Sequence, residues 1–454
     1  MLLRFGVSNH RSIRDYQEVH FTAAPRIRSD SVALQHVRTV DSDVIPVLAL
    51  YGPNASGKSN LLDAIDEFRM AVVHSHAGRD EDDHIPRSPF ALQGSFEELP
   101  TRFDCTFSVP PDKKVWPSHS ELVFEYGFEF DEKKFSKEWL VQLSRKERLS
   151  SRLLFERKTV DGKTEIRFGA SLKGENRTIA NLTRSNSLFL SAATQNNHDQ
   201  LRTIASYLRR SWEVRLSPAP KPSHLLAKEL LGFKHKDVFQ RLLRQADLGI
   251  TSIEVESVEA DEKAREMMRE VMAVFSKYQS EAREQTEEMS EDELDKLMKM
   301  NSVSFTHAGS DGTKCAFKLE SESQGTRTLA TLLIPALNAL HSGGFLVIDE
   351  LDTSLHPRLA KAFVSLFCQR ESNPLGAQLA FSTHDVALLS SGILRNDQIV
   401  LTDKQRDGST CFTPLTDFSL RSRDNIERAY REGRLGGVPV SDEFDVRVLP
   451  DPTN

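Results

Sequence analysis

The residues Gly52-x-x-x-x-Gly57-Lys58-Ser59 have the types and spacing of a loop that cradles phosphate. Glycines allow the tight turn, consecutive backbone N–H groups converge on an anion, and the helix that follows adds the positive end of its dipole. Lys58 is placed to neutralise terminal phosphates and the Ser59 hydroxyl to ligate Mg²⁺, with Asn54 and Asn60 as further nucleotide contacts. Far downstream, Asp349-Glu350 closes the apolar run Phe345-Leu-Val-Ile. A carboxylate pair there suits a second magnesium ligand, Asp349, and a base for an attacking water, Glu350. Either motif alone has an ordinary explanation, since acids commonly close strands and short loop patterns recur by chance. In this order, with the right flanks, they imply a site that binds ATP with Mg²⁺ and hydrolyses it.

Three further candidates lie near the carboxyl end. Glu322-Ser323-Gln324-Gly325-Thr326 opens a helical run, and Ser323 with Gly325 would offer a hydroxyl and exposed N–H groups to an anion. Ordinary helix capping explains the same residues equally well. Asp352 follows the acidic pair, and His384 follows the strand-like Gln378-Leu-Ala-Phe-Ser-Thr, where a polar side chain could sense a γ-phosphate. A lone histidine after a strand is more often without catalytic role.

The elements that must position these residues alternate between strand and helix. Residues 44–51 read as a strand entering the loop and 58–74 as the helix leaving it. Residues 102–168 are β-rich, with Asp161-Gly162 as a hairpin turn, and helical periodicity runs from 198 to 246. Residues 257–300 are acidic, free of Pro and Gly, and suit a short helical arm. Helices over 326–341 and 357–370 and strands over 345–349 and 377–382 follow, then a strand pair around Asp407-Gly408 and a helix near 423–432. The sheet is expected to be completed by both ends of the chain.

Composition narrows the classes. A net charge of −7 gives no global attraction to nucleic acid or anionic membrane. Cys105, Cys315, Cys368 and Cys411 are scattered, which argues against a disulfide framework or structural zinc. No run is long and apolar enough to span a bilayer, and a soluble cytoplasmic protein is expected. His74, His76, Asp80, Asp82, Asp83 and His84 superficially resemble a metal site but read better as a solvated loop. The basic clusters at 145–157 and 209–215 read as solvated faces rather than a nucleic-acid grip.

The order of motifs resembles the ABC-type ATPase superfamily and its SMC-like branch. That resemblance implies an α/β P-loop ATPase head with a β-rich lobe and a short helical arm insertion. Residues 1–205 would form an amino-terminal lobe, 206–300 the helical insertion, and 301–454 a carboxyl-terminal lobe. It also implies that Gly52–Ser59 is Walker A, Ser323–Thr326 the signature, Asp349 and Glu350 Walker B, Asp352 the D-loop and His384 the switch. Arg11 would touch phosphate from the side, although a surface role is equally open, and Gln93 is a candidate Q-loop glutamine. The signature departs from the usual Leu-Ser-Gly-Gly, with Glu322 first and Gln324 third.

The segments NHRSIRD, GPNASGKSNLLDAI, ESQGT with DELDTSLHP, and YREGRLGGVP are similar to bacterial anti-phage ATPases. That group includes the RloA- and AbiLi-like proteins, the AriA subunit of PARIS, PtuA of Septu and the ATPase half of OLD nucleases. It implies a head-to-head homodimer or higher homo-oligomer that controls a separate effector of Toprim, HNH or other toxin-like kind, triggered by nucleic acid or a phage protein. The competing class is an SMC- or RecF-like ATPase of DNA repair that binds DNA directly. A transporter subunit is disfavoured by the 265-residue gap between Lys58 and Ser323.

Overall fold

Strands from both halves of the sequence share one sheet. Its order is Trp212–Arg215, Phe345–Ile348, Gln378–Thr383, Val47–Tyr51, Ile399–Lys404 and Thr410–Pro414. The first five run parallel and the last is an antiparallel hairpin partner. Parallel strands are covered on both faces, which is why Val47–Tyr51 and Gln378–Thr383 are buried at every position. The computed structural model describes residues 1–25, 32–116, 121–145, 148–160, 163–217, 219–246, 249–259, 299–419 and 425–436.

A second, seven-stranded antiparallel sheet has the order Lys163–Phe168, Leu149–Val160, Phe135–Arg145, Leu122–Phe130, Thr101–Val109, Leu2–Ser8, Gln17–His20. Its inner face is aromatic. The helix Lys58–His74 packs against it through Phe68, which stacks on Phe128 at 5.5 Å and meets Phe5 edge-on at 5.8 Å. The same ring lies 5.9 Å from that of Trp212, on a strand of the parallel sheet. Phe68 therefore pins the helix that carries Lys58 to both sheets, and its loss would cost about 3–5 kcal/mol. The expected α/β class with a β-rich lobe is present.

Two expectations need correction. The helical reading of 198–246 is broken by the strand Trp212–Arg215, between the helix Asp199–Ser211 and the helices Ser223–Leu231 and Lys236–Gln245. Four residues are too few for alternation to show between amphipathic helices. The helical arm expected over 257–300 is also narrower at both ends: Ile250–Glu259 pairs antiparallel with Lys299–Ala308, so residues 257–259 and 299–300 are strand. Residues 260–298, the body of that expected arm, lie outside the described residues.

The chain divides into two units. One comprises Met1–Ser217 and Asn338–Asn454, the other Pro218–Leu337. The first holds both large sheets. The second holds a three-stranded antiparallel sheet, Ile250–Glu259, Lys299–Ala308 and Lys314–Lys318, and the start of the helix Gln324–Ser342.

Candidate functional site

The phosphate loop leaves the buried strand Val47–Tyr51 and enters the helix at Lys58. Gly57 caps that helix at φ 108°, a region only glycine adopts freely, and a Cβ there would collide with Thr410. A Cβ on Gly52 would collide with the Thr402 carbonyl. Lys58 is buried, and its Nζ donates to the carbonyls of Gly52 at 2.9 Å and Pro53 at 3.0 Å. Desolvation lowers its pKa against the opposing pull of Asp349, Asp352 and Glu350. Ser56 Oγ is buried in the loop with no partner among the described residues.

A relay of hydroxyls props the loop from behind. Asn60 Nδ2 lies 2.5 Å from Ser12 Oγ, Ser12 Oγ 2.6 Å from Thr410 Oγ1, and Thr410 Oγ1 2.7 Å from the Ser56 carbonyl. An amide N–H can only donate and a carbonyl can only accept, so the direction is fixed: Asn60 to Ser12 to Thr410 to Ser56. Neither Ser12 nor Thr410 was legible as part of the site. A hydroxyl from a distant hairpin carries no local motif, and only the fold brings it to the loop.

The acidic residues are set by strand register. Phe345–Ile348 and Gln378–Thr383 run parallel with Ile348 opposite Phe381, which places Ser382 beside Asp349. The buried Ser382 hydroxyl donates to Asp349 Oδ1 and accepts the Glu350 N–H at 2.7 Å. Glu350 itself adopts φ 51°, a left-handed conformation costing about 1–3 kcal/mol in a non-glycine residue. Its carboxylate is exposed, with Thr353 Oγ1 donating to Oε2 at 3.2 Å. Both Asp352 carboxylate oxygens lie 3.2 Å from the His384 N–H. Desolvation, with a smaller push from Lys58, holds the His384 imidazole below its ordinary pKa, opposed by Asp352, Glu350 and Asp349. Lys58, Asp349, Glu350, Asp352 and His384 thus share one electrostatic neighbourhood at the carboxyl ends of parallel strands, where α/β sheets bind ligands. Ser59, exposed at the first turn of the helix, and Asp349 offer hard oxygen ligands that suit Mg²⁺.

Other candidates fall as follows. Asn54 is exposed at the crest of the loop, and Asn60 Nδ2 donates one hydrogen bond to Ser12. In the second unit, Ser323 Oγ accepts the Thr326 N–H at 3.2 Å and pairs with Thr326 Oγ1 at 2.8 Å, which is the geometry of an N-cap. Gly325 lies in the first turn of that helix. Arg11 is held by Asp63, with Nε and Nη2 each 2.8 Å from a carboxylate oxygen. Gln93 is exposed beside a 3₁₀ turn. The His- and Asp-rich loop is gathered by Asn186, whose amide donates to the carbonyls of Asp80, Glu81 and Asp83.

The model of a protein family described as "AAA domain, putative AbiEii toxin, Type IV TA system" matches residues 47–390. No curated protein matches the sequence. Among solved structures, the chain is similar to an SMC head bound to the C-winged-helix domain of ScpA, at 14% identity over 95% of this chain and 99% of that one, with a TM-score of 0.37. An SMC head with coiled coil and joint derived from Pyrococcus yayanosii gives 11% identity over 95% and 99%, with a TM-score of 0.37. The recombination mediator RecF-ATPrS gives 14% over 91% and 98%, with a TM-score of 0.30. Among the described residues, no helix is long and apolar enough to cross a membrane.

Proposed function

Because this chain belongs to the AAA-domain family of the AbiEii type, we propose that it hydrolyses ATP with Mg²⁺ and uses the cycle to control a toxic effector in bacterial anti-phage defence. The observation that carries the catalytic half is the convergence of Lys58, Asp349, Glu350, Asp352 and His384 on the phosphate loop. Lys58 leaves the Gly52 and Pro53 carbonyls to neutralise phosphate charge. Ser59 and Asp349 would hold Mg²⁺, which supplies further neutralisation of the triphosphate. Ser382 orients Asp349 and, through the Glu350 N–H, fixes the backbone on which the base stands. Glu350 takes the proton of the attacking water. His384, kept neutral near pH 7, offers a hydrogen bond rather than a charge to the transferring group.

The regulatory half rests on the family description, which names a toxin–antitoxin system. Two copies closing on shared nucleotides, with Ser323 and Gly325 facing the partner's ATP, would turn occupancy into a clamp that holds or releases a separate toxin or nuclease. In this reading the capping hydroxyl of Ser323 leaves its helix-end hydrogen bond when the dimer closes.

The test is steady-state ATP turnover with particle mass measured alongside. Glu350→Gln should keep ATP binding, stop turnover and accumulate the closed dimer. Turnover within about tenfold of wild type, a barrier change near 1.4 kcal/mol, removes Glu350 from the role of base.

A further inference from the structure

We propose that His10 and Glu67, with Asp63 behind the imidazole as the orienting carboxylate, form a binding site for a divalent transition-metal ion of the zinc type, on the face of the phosphate-loop helix that meets the amino-terminal strand. Asp63 and Glu67 are four residues apart on the helix Lys58–His74, so their carboxylates share one face. His10 stands opposite, in a tight turn closed by reciprocal backbone hydrogen bonds with Ile13 at 2.9 and 2.8 Å. Asn9 and Arg11, on either side, are both held at φ 50°. The edge-on ring of Phe103, 5.4 Å away, packs against the imidazole. All three residues offer a ligand atom within 4.8 Å of the others.

The observation that points to a ligand is the unpartnered nitrogen. The His10 side chain is fully buried, and its Nδ1 has no hydrogen-bond partner among the described residues. Glu67 Oε2 faces it at 3.7 Å, too far for a hydrogen bond. Two ligand atoms on one tetrahedral zinc ion, each about 2.0–2.1 Å from it, stand roughly 3.4 Å apart. A movement of a few tenths of an ångström would therefore seat a metal between Nδ1 and Glu67. The other imidazole nitrogen, Nε2, is 3.0 Å from Asp63 Oδ2. That is the carboxylate–histidine–metal arrangement in which an outer carboxylate fixes the ring and strengthens its ligating nitrogen. Arg11, paired to Asp63, holds that carboxylate in position. Water completes the shell on the open side, where Glu67 is 30% exposed. An imidazole ligand selects zinc-like ions over Mg²⁺, so this site is chemically separate from the nucleotide's metal. Bound metal would fasten the first strand's turn to the helix that carries Lys58.

The test uses the full chain, chelator-treated, without nucleotide and in excess Mg²⁺. Co²⁺ is titrated as a spectroscopic stand-in, then Zn²⁺ by calorimetry, with thermal melting on the same samples. Wild type should bind one equivalent and melt higher when loaded. Glu67→Gln should melt like metal-free wild type without metal and bind at least about tenfold more weakly, and Asp63→Asn, which removes the orienting charge and the Arg11 ion pair but no metal ligand, should weaken binding in the same range. Binding by both variants at wild-type affinity and stoichiometry would mean that metal sits on exposed histidines, and it overturns the proposal. So does a wild type that takes up neither ion. Should Glu67→Gln fail to fold, Asp63→Asn decides alone.

Discussion

Replacing Thr410 by valine removes one hydroxyl and changes almost nothing else in shape. Thr410 is 2% exposed, so the lost groups cannot turn to solvent. Its Oγ1 donates to the Ser56 carbonyl at 2.7 Å and accepts from Ser12 at 2.6 Å. Each bond contributes about 1 kcal/mol net, and a buried carbonyl left unpaired adds to the cost, so Thr410→Val should destabilise by about 2–3 kcal/mol. Denaturant unfolding should show a lower midpoint at unchanged slope. Because the orphaned carbonyl belongs to the phosphate loop, ATP affinity measured by equilibrium dialysis should fall about tenfold, or 1.4 kcal/mol. Ser12→Ala should have a smaller effect, and the double variant should fall short of the sum by 0.5 kcal/mol or more, roughly the coupling expected within one network. A loss below about 0.5 kcal/mol, or strict additivity, would refute the relay as a support for the loop.

Lys58→Ala should abolish ATP binding by dialysis while leaving the melting temperature within a few degrees, since among the described residues its hydrogen bonds go to two loop carbonyls and burial of the ammonium offsets the pull of Asp349, Asp352 and Glu350; unchanged affinity would contradict the phosphate-loop reading. Arg157→Met should cost about 3–5 kcal/mol, because it strips the buried cation from Glu138, which is wholly buried 3.8 Å away and pushed up in pKa by that burial. A neutral effect on the denaturation midpoint would show that the Phe189 and Leu190 N–H groups and the Tyr126 hydroxyl suffice for that carboxylate. His384 is exposed yet lowered in pKa in the folded state, first by desolvation and then by Lys58, so folding weakly resists its protonation: the stability it confers, small because solvent screens the site, is present above the ordinary imidazole pKa of about 6.5 and is lost as pH falls below it. His384→Gln should therefore shrink the drop in melting temperature on acidification without removing it, since burial depresses His76 and His198 in the same way; an unchanged drop would refute this account.

The motif residues were legible because each is fixed by local chemistry. A loop that binds phosphate must carry Gly52, Gly57 and Lys58 at set spacing, and an acid pair must close a buried strand. The helix Gln324–Ser342 and the hairpin around Gly408 were likewise readable from period and turn chemistry. What could not be read was anything that depends on which strand neighbours which. Ser382 acts on Asp349 only because two parallel strands run in register, and Trp212–Arg215 is a strand only because Phe345–Ile348 lies beside it. Arg11, which the sequence left open between a phosphate contact and a surface role, pairs in bidentate fashion with Asp63, one helical turn past the loop.

The strand that feeds the phosphate loop has consequences for how the chain comes off the ribosome. Val47–Tyr51 finds its neighbours in residues 378–383 and 399–404, and the Gln378 amide clasps the backbone of Leu2 from both sides, 2.6 Å from its N–H and 2.8 Å from its carbonyl. At about 5–20 residues per second, roughly 20–60 s of translation separate the strand from its first partner. For that interval five consecutive apolar residues wait unpaired, and every contact that shapes the loop from the far side, Thr410 included, does not yet exist. The phosphate loop therefore gains its full set of supporting contacts only when synthesis has passed the hairpin that carries Thr410.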